Sequence, residues 1–531
     1  MVEARRSRTQ LGMTDTDVLV VGAGPTGLAL ALQAHDHGAR VRVVDQRSGP
    51  GRPSRAMIVH PRTMEVLRPL GVTDALLTVG DRRPTVRLHL GHHVIAAGLT
   101  DLELPDTAFP HLLLIRQSDV EAVLLAAAAE RGLQVEWESA VQDYRLESGR
   151  PIATVRRDAT LAHIGTRFLV GADGSTSTIR RTAGIAFSGA SYPADVVLAD
   201  IELTRDVGPG SAHAVAARNG LVFLFPLGEQ ATWRLLATVP AMPSAQPFGQ
   251  VGPPVPRDEL DRLVDRSGME TRIARVAWSA RIRVQHRVAT SYRSGPVLLA
   301  GDAAHTFSPA GGQGMNTGIQ DATNLGWKLA VLSAGQSTRG PLLSSYEIER
   351  QDVARKTMAM THLLFWAEAG TGPIPSFLRG TMGPLAAPFI PVILRRRRLT
   401  AEGIRVLSQL RWSYRDSPLS RGMGLPGSLR RTAPFGHPGD RLPDATVVVN
   451  NDRRRLHELT AVAGFHVLLQ RDADPLSPSD LIHLHRIDSW PGRDSIVVRP
   501  DGHLGYRGPT RTAEIWLGRL GVAAVPDTRA R

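Results

Sequence analysis

Gly22, Gly24 and Gly27 stand in Gly-x-Gly-x-x-Gly spacing, between the apolar run Val18-Leu19-Val20-Val21 and a Leu/Ala run that starts at Leu28. A β-favouring run, a glycine turn holding Pro25 and Thr26, and a helix-forming run are the order that phosphate binding asks for. Gly22 makes the tight turn out of the strand, and Gly24 lacks the side chain that would block a pyrophosphate. Gly27 lets the helix lie close to the strand, so that its free N–H groups face the phosphates. Val41-Arg42-Val43-Val44-Asp45 reads as the second strand, and Asp45 supplies a carboxylate to accept hydrogen bonds from an adenosine ribose. A strand–helix turn with no ligand would not need an acid there. The sequence predicts a dinucleotide site.

The fingerprint alone does not choose between nicotinamide and flavin dinucleotides; later stretches do. Gly301-Asp302-Ala303-Ala304-His305 follows the apolar strand Val297-Leu298-Leu299-Ala300, with Pro309-Ala310-Gly311-Gly312-Gln313-Gly314-Met315-Asn316-Thr317-Gly318 close behind. Upstream, Val170-Gly171-Ala172-Asp173-Gly174-Ser175 follows another strand, with Arg180 after it. In this order the motifs resemble the group A flavoprotein monooxygenases, the single-chain FAD-dependent aromatic hydroxylases. The likeness is greatest to phenol and aromatic polyketide hydroxylases, and runs from about Asp17 to about Arg355 with a weaker match in the tail.

The resemblance implies FAD as cofactor, NADPH or NADH as reductant, and O2 as co-substrate. It implies hydroxylation of a phenolic ring through a flavin C4a-hydroperoxide. It also carries roles residue by residue. Arg55, in Ser54-Arg55-Ala56, would lie beside the flavin, and Gln117 would hydrogen-bond the ribityl-phosphate arm. Asp173 and Arg180 would lie near the pyrophosphate and the coenzyme, and Asp302 would accept from a ribityl hydroxyl. Gly311, Gly312 and Gly314 would admit the isoalloxazine, with Met315 and Asn316 presenting N–H groups to its N1/C2 edge. The helix that follows would favour negative charge on the reduced ring. His305 belongs to the motif itself and reads as structural. No second Gly-x-Gly-x-x-Gly stands between an apolar strand and a helix-forming run, which fits enzymes whose coenzyme reaches the flavin without a domain of its own.

A chain of 531 residues suggests two or three domains. Having no cysteine, it excludes disulfides, thiolate metal sites and Cys-x-x-Cys redox centres, and it is compatible with a cytoplasmic location. No metal cluster and no nucleophile-elbow serine stand out, so the catalytic position stays unassigned. The net charge of +13 does not imply nucleic acid, because lysine occurs only at Lys328 and Lys356 and the arginines are interleaved with acids. Arg395 to Arg398 follow a short, proline-bearing apolar stretch and read as a solvated helix end; no membrane partner is expected.

The expected fold class is α/β, a Rossmann-like FAD-binding domain with an inserted antiparallel-sheet substrate domain and a thioredoxin-like C-terminal domain. Residues 1–16 read as a disordered extension. Residues 17–81, 111–184 and 286–420 read as three parts of the FAD-binding domain, the last including a helical segment. Residues 82–110 and 185–285 supply the substrate sheet, where Phe223, Phe225 and Trp233 are candidates for an aromatic pocket or for ordinary sheet packing. Tyr414 to Leu419 and Pro434 to Pro443 read as a linker. Residues 421–531 form the tail, which without thiols is left with packing or homodimer contact. The length, the cysteine-free tail and the arginine-rich composition favour an aromatic polyketide as substrate. A Baeyer–Villiger or antibiotic-inactivating oxygenase, and a flavin-dependent reductase or dehydrogenase, are the alternatives on the same scaffold.

Overall fold

The computed structural model describes residues 16–51, 56–98, 102–205, 207–208, 210–217, 220–227, 233–242, 252–335, 339–370, 372–420, 435–473, 476, 479–488 and 494–523. The expected extension at 1–16 falls outside them except for Thr16, which already belongs to the first strand, Thr16–Val21. That strand is central in a sheet ordered Arg293–Ser294, Val297–Leu299, Thr160–Gly171, Thr16–Val21, Val41–Val44, Val135–Glu136. Along this path every pairing from Val297–Leu299 onward is parallel, and Ser139–Glu147 and Arg150–Arg157 bring the sheet to eight strands as an antiparallel extension beside Thr160–Gly171. The strands buried on both faces are near-continuous Val/Leu runs, as a covered parallel sheet requires. Helix Pro25–Asp36 covers one face and packs against helix Gln313–Ser333.

The second sheet also has eight strands, from His305–Thr306 and Ile273–Ala289 through Phe187–Leu203, Trp233–Pro240, Gly220–Pro226 and Ser211–Ala217 to the hairpin Thr85–Leu90 and His93–Gly98. It is antiparallel except where Ser211–Ala217 runs parallel to Thr85–Leu90. Strand alternation gives it two lined faces. One carries Val222, Leu224, Trp233 and Leu235 against helix Arg257–Asp265. The other carries Val196, Leu198, Leu236 and Ile282 against Phe365 and Ala369 of helix Arg339–Ala369.

The tail holds a mixed four-stranded sheet, ordered Ile482–Ile487, Phe465–Gln470, Ser495–Val498, Leu504–Gly508, and helix Thr510–Arg519. It is not a separate bead: Phe465 and Trp516 join the core of the first sheet, and Phe465 meets Trp327 edge-on at 5.3 Å. The stretch expected to be a linker is partly core. Tyr414 is buried, its hydroxyl accepts from Arg350 at 2.8 Å, and its ring stacks on His503 at 4.0 Å.

Charged side chains lock these parts together without solvent. Glu349 accepts from Lys328 at 2.8 Å, from both terminal nitrogens of Arg499 at 2.7 and 2.8 Å, from Asn324 at 2.7 Å and from Ser417 at 2.6 Å. The Arg499 guanidinium beside it holds this carboxylate well below its ordinary range against the opposing effect of burial, while burial brings Lys328 down to about 8. Among the described residues no helix is long and apolar enough to cross a membrane.

Two expectations follow. Glu349→Ala leaves Lys328 and Arg499 buried without their counter-charge and is expected to destabilise the protein by about 3–5 kcal/mol in denaturant titration. Burial holds His60, His503 and His485 at about 4 and His466 at about 3, below the ordinary 6.5. Because the folded values are the lower ones, this stability is complete above about pH 6.5 and is lost as the pH falls towards 4. Melting temperature measured against pH is expected to drop across that window.

Candidate active site

The turn that opens helix Pro25–Asp36 is built by close approach. A Cβ on Gly27 would stand 1.8 Å from the Gly22 carbonyl oxygen, so only glycine allows the helix this near the strand. At Gly24, the residue preceding the helix, a Cβ would meet nothing within 4 Å. The helix begins there with no side-chain cap, leaving its first-turn N–H groups to face that open space. Thr26 is enclosed from two sides: added Cβ atoms on Gly301 and Gly318 would come 2.5 and 2.3 Å from its hydroxyl. Three distant glycine segments thereby converge on one turn.

Asp45 is buried, and its Oδ2 accepts from the Ala23 amide at 2.7 Å. Both its oxygens also receive Arg47, which reaches Glu121 at 3.3 Å and lies over Trp137. Gln117 sits at the start of helix Gln117–Glu130. Its amide nitrogen donates to Glu121 at 2.9 Å and its oxygen accepts from the Ala56 amide at 3.4 Å, so it ties the helix to the chain just after Arg55. Arg55 itself lies outside the described residues.

Asp173 caps the short helix after its strand, accepting from Ser177 at 2.5 Å and from the Thr178 and Ile179 amides at 2.7 and 3.2 Å. Burial pushes its carboxyl up despite those donors. Arg180 donates to the carbonyls of Ala303 and Ser175 at 2.8 and 2.7 Å and lies 3.9 Å from the centre of the Phe187 ring. Both residues shape the loop beside Gly301–Ala303. Asp302 differs from them: partly exposed, it makes no hydrogen bond or ion pair among the described residues, and its Oδ1 is 3.9 Å from where a Gly314 Cβ would be.

Gly311 and Gly312 both adopt left-handed backbone, at φ +70° and +63°, and turn the chain into helix Gln313–Ser333. That helix also starts without a side-chain cap, so the N–H groups of Gln313, Gly314 and Met315 are its unpaired donors. Asn316 is buried and its side chain works as a clamp. It accepts from the His60 amide at 2.9 Å and donates to the carbonyls of Ile58 and Gly312 at 2.9 and 2.7 Å. His305, fully buried, donates to Asp321 at 2.6 Å; Arg350 holds the other oxygen of that carboxylate at 2.6 Å. This is a structural contact within the loop's support.

On the substrate sheet the expected aromatic trio divides. Phe223 and Phe225 stack with centres 5.8 Å apart on the face turned towards helix Arg339–Ala369. Trp233 is paired with Pro226, points to the opposite face and is packed in the core over helix Arg257–Asp265. The register between the two strands decides this, and a single strand's alternation does not contain it. In its place comes Arg234, which sequence reading missed. It shares the face of Phe225, is buried, forms a two-pronged pair with Asp200 at 2.7 and 2.8 Å, and reaches Met57 Sδ at 3.6 Å. The signal was present, as the lone charge Arg234 inside an apolar strand sequence and Asp200 inside another that also carries Asp195 and Glu202.

The pattern of the FAD binding domain family matches residues 15–361. The chain belongs to this family. The flavoprotein is 37% identical over 419 residues to the 6-methylpretetramide 4-monooxygenase of Streptomyces rimosus, a match spanning 77% of this chain and 71% of that one. It is 28% identical over 494 residues to the pentachlorophenol 4-monooxygenase of Sphingobium chlorophenolicum, spanning 92% and 86%. A solved anhydrotetracycline hydroxylase from Streptomyces rimosus matches its fold with a TM-score of 0.74 at 27% identity, over 96% of this chain and 100% of that one. The flavoprotein is an FAD-dependent aromatic monooxygenase.

The residues present fit FAD. An open glycine turn, uncapped helix amides at Gly24 and Gly312, and the Asp302 carboxylate, without a partner among the described residues, lie around the same converging loops. Two alanine variants separate cradle from scaffold. Gly24→Ala, whose Cβ meets no protein atom, is expected to leave apoprotein stability within about 0.5 kcal/mol while weakening FAD binding about tenfold or more. Gly27→Ala drives a Cβ into a backbone oxygen and is expected to destabilise the apoprotein itself by at least about 1–3 kcal/mol. FAD titration followed by protein fluorescence, with apoprotein melts alongside, checks both.

Proposed function

We propose that this enzyme hydroxylates a phenolic ring of an aromatic polyketide, using FAD, a nicotinamide coenzyme and O2. The observation that carries the substrate class is the likeness to 6-methylpretetramide and anhydrotetracycline oxygenases over most of the chain. An apolar sheet face bearing the stacked Phe223 and Phe225 supports it, because flat fused rings bury well against aromatic side chains. FAD, when bound, supplies electron transfer from the coenzyme and activation of O2.

The chain's own residues bind, orient and enclose. In this reading the Gly22–Gly27 turn and its helix amides hold the pyrophosphate, Asp45 the adenosine ribose, and Asp302 with Gln117 the ribityl arm. The helix amides from Gln313 to Met315 stabilise negative charge at the ring's edge, with the Asn316 clamp fixing where that helix starts. Asp173 and Arg180 shape the loop by which the coenzyme approaches, and Arg55 stands beside the flavin. The pair Arg234–Asp200 fixes the substrate sheet against the segment after Arg55. Helix Arg339–Ala369 and the sheet exclude water from the space between them. The tail, read as a thioredoxin-like domain, serves packing or homodimer contact, and need for a nicotinamide reductant puts the enzyme in the cytoplasm.

The test is product analysis with anhydrotetracycline and 6-methylpretetramide under ¹⁸O2 and NADPH. A product heavier by one labelled oxygen atom, rings intact, with one NADPH consumed per product, is the expected result. A lactone or ring-opened product would move the reading to Baeyer–Villiger chemistry, and NADPH use that yields only hydrogen peroxide would remove both compounds as substrates.

A further inference from the structure

Helix Arg339–Ala369 ends over the substrate sheet with a carboxylate in an unexpected place. Thr361, Phe365 and Ala369 are buried while Leu363 and Trp366 are exposed, which fixes the inward arc of its last two turns. At about 3.6 residues per turn, Glu368 falls between Leu364 and Phe365, on the Leu364 side of that arc. Leu364 touches Gly311: a Cβ there would stand 3.6 Å from its Cδ1. Glu368 is one turn further along the same side, about 6 Å down the axis. Phe365 and Ala369 share one apolar cluster with Leu198, Leu236 and Trp278, on the sheet face that also carries Phe223 and Phe225. Glu368 therefore lies on the side of the helix that faces the sheet, one turn beyond the residue nearest the glycine turn.

Three things make an ionised acid costly there. It is part-buried, it has no hydrogen bond or ion pair among the described residues, and it sits at a helix C-terminus, where negative charge is disfavoured. Burial alone pushes its carboxyl up to about 7. The charged groups facing this space do not compensate it. Arg234 is taken by Asp200, and Arg379 donates to the carbonyls of Ala367 and Gly370 at 2.8 and 2.6 Å. His362 and His286 lie against Tyr192, towards Ser308. Yet Glu368 keeps part of its surface exposed, so it is accessible to whatever enters.

We propose that Glu368 is the proton acceptor for the substrate's phenolic hydroxyl. The O–H bond breaks heterolytically, the electron pair stays on the phenol oxygen, and the proton passes to a Glu368 carboxylate oxygen. The phenolate so formed is the more electron-rich ring, and the proton returns to solvent with the product. A base that titrates near neutral pH is matched to this transfer, being ionised when needed yet strong enough to compete. The assignment rests on the hydroxylase reading above.

Glu368→Gln keeps size and polarity but cannot take the proton; Glu368→Asp can. Hydroxylation of anhydrotetracycline is measured from pH 5.5 to 9 for both variants and the wild type, with FAD content and melting temperature alongside. Wild-type kcat is expected to rise with pH through a limb near 7. The Gln variant is expected to load FAD and melt normally, lose that limb and lose about 100-fold in kcat, with the Asp variant recovering part of it. A Gln variant with the wild-type pH profile would overturn the assignment. If the wild type oxidises no phenol at all, the hydroxylase reading falls first and takes the assignment with it.

Discussion

The buried carboxylate of Glu349 is the constraint on which the other parts depend. Lys328 and Asn324 reach it from helix Gln313–Ser333, Arg499 from the tail and Ser417 from the connecting stretch, with no solvent between them. Desolvating these charges is costly, and the cost is recovered only when every partner is in place. A second carboxylate, Asp321, does the same one level up, joining His305 and Arg350 between the same two helices. The beginning of one helix is the wall of donors at the glycine turn, and the end of the other is the roof over the substrate sheet. Fixing their middles sets the width of the space between their ends.

The site is accordingly assembled from segments that meet only in three dimensions. The parallel sheet delivers the glycine turn, Asp45 and the loop at Gly301–Ala303 to one edge. The antiparallel sheet delivers an apolar face with stacked aromatics, fixed to the first body through Arg234 and Met57. A flavin chemistry that needs orientation, fixed amide donors and exclusion of water more than it needs a nucleophile is served by this division of labour.

Much of this was legible in the sequence, because it is local. The strand–turn–helix fingerprint, Asp45, Asp302 and the turn at Gly311–Gly312 are each specified by residues within a few positions of one another. What depends on register or remote partners was not. Trp233 looked equivalent to Phe223 and Phe225, and only the pairing of its strand shows that it faces the other core. Tyr414 to Leu419 looked like a linker, because the residues that bury it, Arg350 and His503, lie far away in the chain. Glu368 looks like one more polar residue at a helix end until the neighbours of Leu364 and Phe365 show which side of the helix it lies on. Arg180 and Asp173 came from the resemblance, and the structure adds that their hydrogen bonds are made to their own loop and to Ala303.

The central claim is that an aromatic ligand held between the sheet and helix Arg339–Ala369 communicates with a flavin held at the converging glycine loops. Anaerobic NADPH addition to the FAD-loaded protein, followed by loss of flavin absorption with and without anhydrotetracycline, tests it most directly. The account predicts a yellow protein whose bleaching is faster with the ligand present. A protein that cannot be loaded with FAD, or one whose bleaching no aromatic ligand accelerates, would contradict it.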